Sequence, residues 1–164
     1  MNFVVESDRL HIRPFKLSDV EAYHQMTQDP LIQHFVSFAC SSSLEEAFEA
    51  FEYCYSAEDN PYDFYLILED KKSKQIVGAI ISTAISTSPH ILDVCILTDA
   101  AQRRKGYMFE ALSAFIDALP KSTELLFAIK RENFASIKTV TKLPGVVEKP
   151  FTEHPAFIQF SITT

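Results

Sequence analysis

Glycine is scarce in this chain: Gly78, Gly106 and Gly145 are the only three in 164 residues. Spaced so far apart, they cannot write either the dinucleotide fingerprint G-x-G-x-x-G or the P-loop G-x-x-x-x-G-K. Cysteine is equally rare. Cys40, Cys54 and Cys95 are odd in number and lack C-x-x-C spacing, which argues against a disulfide framework or a zinc knuckle and suits a reducing cytoplasm. His11, His24, His34, His90 and His154 are scattered without H-E-x-x-H or similar ligand spacing, so no metal is expected, and no G-x-S-x-G elbow serves a serine hydrolase. Long apolar runs are missing too. No uncharged stretch could span a bilayer, and the N-terminus MNFVVESDRL has no basic region leading into an apolar one, so a soluble cytoplasmic protein with no membrane partner is expected. Cations are outnumbered, 15 Lys and Arg against 22 Asp and Glu, for a net charge of −7. That balance disfavours nucleic acid as a partner and favours amines or basic peptides.

What the chain does contain is enough for one folded unit. With 47% hydrophobic and 23% charged residues it is globular, and its length predicts a single domain over 1–164. Arg9 to Arg13 alternates polar and apolar residues before Pro14, as a half-buried strand does. Ser18 and Glu21 have the spacing of a capping box, which predicts a first helix from about Asp19 to Gln28, ending before Pro30. After an irregular piece containing His34 and Phe38, Ser43 and Glu46 repeat the box. The helix they open sets Leu44, Ala47, Phe48, Phe51 and Tyr55 on one face and Glu45, Glu46, Glu49 and Glu52 on the other. No Lys or Arg occurs between His34 and Lys71, so the acidic face reads either as solvated surface or as a wall that attracts a cationic substrate.

Tyr62 to Leu68 and Gln75 to Thr83 are β-rich and joined by a polar turn, which predicts an antiparallel hairpin. A loop from Ser86 to Pro89 leads into a strand from His90 to Leu97. Met108, Leu112, Phe115, Ile116 and Leu119 then recur at helical spacing until Pro120. Leu125 to Ile129 is apolar without alternation, the pattern of a parallel strand covered on both faces. His90 to Ile129 is therefore a βαβ unit, whose ligands sit beyond the carboxyl ends of its strands. A further helix begins at Asn133 and is ended by Leu143, Pro144 and Gly145, and two short strands, around Val146 and from Phe157 to Ile162, close the chain.

Within that βαβ unit lies a basic turn, Arg103, Arg104, Lys105 and Gly106, at the start of a helix, where unpaired amides and the helix dipole favour a phosphate. The arrangement Arg103-x-x-Gly106-x-Met108, ten residues after Asp93, resembles the acyl-CoA pyrophosphate loop of the GNAT acetyltransferase superfamily. It is most like the ribosomal-protein and N-terminal alanine acetyltransferase branch, although Met108 stands where Gly or Ala is usual. Asn133-x-x-Ser136 followed by Lys142 and Leu143 resembles a second landmark of the family, with Pro144 at the usual glycine place, Gly145 one residue late and Val146 for Phe. The element order β-α-α-β-β-β-α-β-α-β-β matches the GNAT fold: α/β (α+β), a mixed sheet of about six or seven strands flanked by about four helices.

The resemblance implies acetyl-CoA as cofactor and an amine acceptor, foremost a protein or peptide N-terminus. A polyamine-like or aminoglycoside-like acceptor, or a non-catalytic acyl-CoA-binding domain, stands as the alternative. It puts the pyrophosphate on Arg103, Arg104, Lys105 and Gly106 with the amides through Tyr107 and Met108. It puts the pantetheine arm along Ile96, Leu97 and Thr98, assisted by Asn133, whose other reading is simply a helix N-cap. Asp93 is the candidate general base, on the opposite strand face from His90. Ser136 is the candidate proton donor to sulfur, since Val140 stands where the family often has tyrosine; Tyr62, Tyr65 and Tyr107 qualify by type alone. Cys95 is read as a small core residue. Acceptor loops are expected at Ile32 to Ser43 and Ser82 to His90, and a small acidic domain rich in aromatics is compatible with a homodimer.

Overall fold

The computed structural model describes residues 3–56, 63–85, 88–151 and 154–164; the side chains of Cys54 and Tyr55, all of Tyr62, and Ser86 and Thr87 of the expected loop lie outside them. In chain order the elements are β1 (Val5–Glu6), β2 (Leu10–Pro14), α1 (Val20–Thr27), α2 (Pro30–Phe35), α3 (Leu44–Ser56), β3 (Phe64–Asp70), β4 (Ile76–Ile85) and β5 (Ser88–Thr98). There follow α4 (Tyr107–Ala118), β6 (Glu124–Lys130), α5 (Phe134–Val140), β7 (Val147–Lys149) and β8 (Phe157–Thr163).

All eight strands join one sheet in the order β1-β2-β3-β4-β5-β6-β8-β7. This corrects the expected six or seven strands and four helices. The additions are the two-residue β1, too short for a period-2 pattern to register, and α2, which occupies the piece read as irregular. Helix α2 is opened by Asp29, whose carboxylate accepts from the Leu31 and Ile32 amides at 3.1 Å each, with Pro30 at the first helical position.

Two capping expectations also change. Ser18 and Glu21 do not form a box, because a 3-10 turn at Leu17–Asp19 precedes α1 and Asp19 is engaged elsewhere. At α3 the serine half forms, Ser43 Oγ accepting from the Glu46 amide at 3.1 Å, while the Glu46 carboxylate turns to Ser42. Of the apolar face of α3, Ala47 and Phe51 are buried, whereas Leu44 and Phe48 are more than a third exposed.

Every strand pairing is antiparallel except β5 with β6, and that one is short: Ile91 faces Glu124, Leu92 faces Leu125 and Asp93 faces Leu126. Beyond Asp93 the two strands diverge. β5 stays with β4 as far as the Gly78–Thr98 pair, and β6 stays with β8 as far as Lys130–Phe157. A wedge therefore opens along Val94–Thr98, roughly 16 Å long at the usual strand rise. β6 is accordingly not covered on both faces. Leu125, Phe127 and Ile129 are buried, but Ala128 on the opposite face is exposed, because a strand bordering an open wedge keeps only one packed side.

Alternation along β5 divides the core. Leu92 and Val94 pack with α4, α5 and β8 in the larger cluster, and Leu97 with half-buried Cys95 joins Met26 and Ile32 of α1 and α2 in the smaller one. Asp93 shares the α1 and α2 face with Cys95 and Leu97. Helix α1 is fixed by a buried ionic knot: Arg13, 9% exposed, donates to both oxygens of Asp19 at 2.6 and 2.9 Å and to Glu69 at 2.9 and 3.0 Å.

Met108 lies in the larger cluster with Leu112 and Phe115 and is 7% exposed. Met108→Ala, which would restore the residue usual in the loop motif, should therefore lower unfolding free energy by about 2–5 kcal/mol in denaturant titration. Asp19→Ala strands the Arg13 guanidinium and should cost about 3–5 kcal/mol in the same measurement, more than an exposed carboxylate would.

Candidate functional site

The wedge between β5 and β6 ends in the loop that carries the basic turn. After β5, Asp99 returns its amide to the Val77 carbonyl at 3.0 Å and receives the Ala101 amide on its carboxylate at 2.9 Å, turning the chain into a 3-10 segment at Ala100–Gln102. Arg104 and Gly106 then both adopt left-handed backbone, at φ of 64° and 80°. For glycine this carries no steric penalty, whereas a side chain there costs about 1–2 kcal/mol. Gly106 is the N-cap of α4. The first helical bond runs from the Glu110 amide to the Gly106 carbonyl at 3.1 Å, and among the described residues the amides of Gly106, Tyr107, Met108 and Phe109 have no acceptor. Four donors are thus aimed at one place, at the positive end of a helix dipole.

A brace from the other end of the chain holds this turn. The Arg9 guanidinium lies 4.4 Å from the Tyr107 ring centre, donates to the Lys105 carbonyl at 2.9 Å and pairs with Glu110 at 2.6 Å. Glu110 also takes the Arg9 amide and the Ser7 hydroxyl, both at 2.7 Å. Without these partners a carboxylate in the first turn of α4 would repel an anion; with Arg9 against it, that charge is balanced. Tyr107 donates its hydroxyl to Asp70 at 2.9 Å, and that phenol is thereby committed. Amides of Ser73 and Lys72, together with the Tyr107 and Ser73 hydroxyls, hold the Asp70 carboxyl down at about 2.

The expected site residues fall into distinct groups. Arg104 is exposed and its side chain has no partner among the described residues, while Lys105 reaches Gln102 at 2.8 Å; both are at the surface beside the free amides. Met108 contributes only backbone there, its side chain being in the core. Ile96, Leu97 and Thr98 form the stretch of β5 that has lost its β6 neighbour. Arg103 departs from the group. Its guanidinium turns to Asp29, Nη2 to Oδ1 at 2.5 Å and Nη1 to Oδ2 at 3.5 Å.

Asn133 accepts the Ser136 amide at 3.2 Å, so its carbonyl oxygen is spent as the N-cap of α5 and its amide nitrogen is left over. The Ser136 hydroxyl has no partner among the described residues, and Val140 is fully buried.

Asp93 stands at the apex of the wedge, the last β5 residue paired with β6, and it keeps contact with solvent. Burial by the surrounding protein pushes its pKa above the ordinary aspartate value, outweighing a smaller lowering by the Val94 amide. Two residues along, burial, then the charges of Asp93 and Cys40, push the Cys95 thiol up to about 12, so it carries no nucleophilic thiolate near neutral pH.

Sequence reasoning missed the Arg9–Glu110 brace and the partners of α2. Lys130 Nζ donates to the His34 carbonyl at 2.7 Å, and His34 Nε2 meets Glu132 at 2.7 Å. The brace joins residues 101 apart and has no local signal, but Asp29 followed by Pro30 is a readable helix start.

These features fit a diphosphate-bearing cofactor: unpartnered amides, flanking cations and a strand whose edge is open from the loop to a single carboxylate. Known proteins match at the same scale. The chain resembles in fold a ribosomal-protein-S5-alanine acetyltransferase from Vibrio fischeri, at 20% identity over 99% of this chain and 97% of that one, with a TM-score of 0.74. A ribosomal L7/L12 α-N-protein acetyltransferase in complex with coenzyme A shares 14% identity over 98% of both chains, with a TM-score of 0.81. A spermidine N-acetyltransferase SpeG chimera from Vibrio cholerae and hSSAT shares 16% identity over 95% of this chain and 96% of that one, with a TM-score of 0.75. No curated protein matches the chain at a significant level. The acetyltransferase (GNAT) domain model matches residues 9–144, most of the chain, and the protein therefore belongs to the GNAT acetyltransferase family.

Proposed function

We propose that this protein is an N-acetyltransferase that moves the acetyl group of acetyl-CoA to a primary amine, that of a protein or peptide N-terminus. The observation that carries the reading is the wedge itself, with free helix-start amides at its open end and a carboxylate of raised pKa at its apex. GNAT acetyltransferases use acetyl-CoA, which when bound supplies an activated acetyl thioester.

This chain's residues would supply the rest. The amides of Gly106 to Phe109, with Arg104 and Lys105, would hold the diphosphate through charge-assisted hydrogen bonds. Ile96, Leu97 and Thr98 would line the pantetheine arm with backbone donors and acceptors, and the Asn133 amide nitrogen would meet it from the α5 side. Asp93 would take the proton of the incoming ammonium. Burial raises its pKa and so brings its basicity closer to that of the amine it serves. Ser136 would return a proton to the departing sulfur. The free thiols of Cys40 and Cys95 support a reducing compartment such as the cytoplasm.

A polyamine-like acceptor is the second reading, supported by the exposed row Glu45, Glu46, Glu49 and Glu52 on α3. Thiol release from acetyl-CoA, measured against free N-terminal peptides and against spermidine, decides between the two.

Coenzyme A at about a hundred times its Kd should stabilise the fold by roughly 2.7 kcal/mol, read as a raised Tm. Arg104→Glu should weaken that binding about tenfold or more, since it exchanges a cation for an anion beside the diphosphate. Asp93→Asn should leave coenzyme A affinity intact and lower kcat about 100-fold or more. In the wild type the rate should fall as pH drops through the pKa of Asp93, and the variant should lose that limb of the profile.

A further inference from the structure

Helix α2 crosses the mouth of the wedge and is fastened at both ends. At its start, Asp29 caps the Leu31 and Ile32 amides and at the same time pairs with Arg103, in the loop that follows β5. At its end, the His34 carbonyl takes Lys130 at the tip of β6 and the His34 ring takes Glu132 just beyond it. Between these ties Ile32, 4% exposed, packs in the same cluster as Leu97 of β5. A six-residue helix, roughly 9 Å long, is marginal on its own, so tertiary ties decide where it lies.

We propose that Arg103 is a positioning residue: through Asp29 it sets α2 across the divergent strands and couples the diphosphate loop to the acceptor side, instead of gripping phosphate. The inference rests on the functional reading above for which face receives the amine. Charge argues for it. The Asp29 side chain is 18% exposed, and Arg103 holds its carboxyl below the usual aspartate range. Drawing Arg103 away to a phosphate would leave Asp29 uncompensated beside an incoming anion, whereas Arg104 is already exposed and its side chain has no partner among the described residues. Because Asp29 also holds the first turn of α2, any shift of the loop backbone at Arg103 is passed to that helix.

Two variants isolate the pair. Asp29→Asn keeps a good N-cap and removes the charge, and Arg103→Gln removes the other partner. Amide hydrogen exchange of α2 and α1, with and without coenzyme A, is read beside calorimetric coenzyme A affinity. Both variants should speed exchange across α2 about tenfold while leaving α1 unchanged. Coenzyme A should slow α2 exchange in the wild type but not in either variant, with its Kd held within about twofold. Unchanged α2 exchange in both variants would overturn the proposal. So would a tenfold loss of coenzyme A affinity in Arg103→Gln that Asp29→Asn does not share, which would make Arg103 a phosphate ligand. If the wild type fails to bind coenzyme A the functional reading falls, while α2 exchange without it still tests the pair.

Discussion

The short ladder between β5 and β6 is the constraint on which the rest of this structure depends. Three residue pairs hold the strands parallel, and then each follows a different neighbour, β4 on one side and β8 on the other. Backbone that would normally close on itself is left facing a gap. The packing makes that gap persistent. Gly78 lies so close to Leu97 that an added Cβ would sit 2.4 Å from its carbonyl oxygen, so β5 is held tightly to β4 at the wide end of the wedge. On the far side, β6 is committed to β8 along seven paired residues.

Everything chemical is then placed by where the strands end. Parallel strands present their carboxyl ends at the same edge, so the loop after β5 and the turn after β6 look at one another across the wedge. The first brings a left-handed glycine and a helix start, the second brings Asn133 and the N-terminus of α5. Arg9 and Glu110 lock the first turn of α4 to the start of β2, and the Arg13–Asp19–Glu69 knot locks α1 to β2 and β3. The two clamps fix the opposite faces of the same sheet, and α2 is tied to both diverging halves, through Asp29 to Arg103 and through His34 to Lys130.

Much of this was legible in the sequence because it is local. The basic turn, its glycine and the helix behind it are contiguous, and Met108, Leu112 and Phe115 recur at helical spacing, although that the Met108 side chain points into the core and not at the loop is seen only in the structure. The hairpin of β3 and β4 and the βαβ unit follow from alternation and length. What could not be read is what depends on distant partners. Ser18 and Glu21 have the spacing of a capping box, yet the carboxylate between them belongs to Arg13, and a different start to α1 results. The apolar run in β6 looks like a strand buried on both sides because hydrophobicity does not report that its neighbour turns away after Leu126. Nothing local to Arg103 signals its pairing with Asp29, 74 residues earlier.

The central claim is that the open edge of β5 and the amides at the front of α4 form one continuous cofactor track. Backbone amide chemical shifts, recorded residue by residue as coenzyme A is titrated in, test it most directly. The account expects the largest changes at Gly106 to Phe109 and a second group along Val94 to Thr98, with the β1 to β3 end of the sheet unmoved. Saturable binding that leaves both groups undisturbed would contradict it.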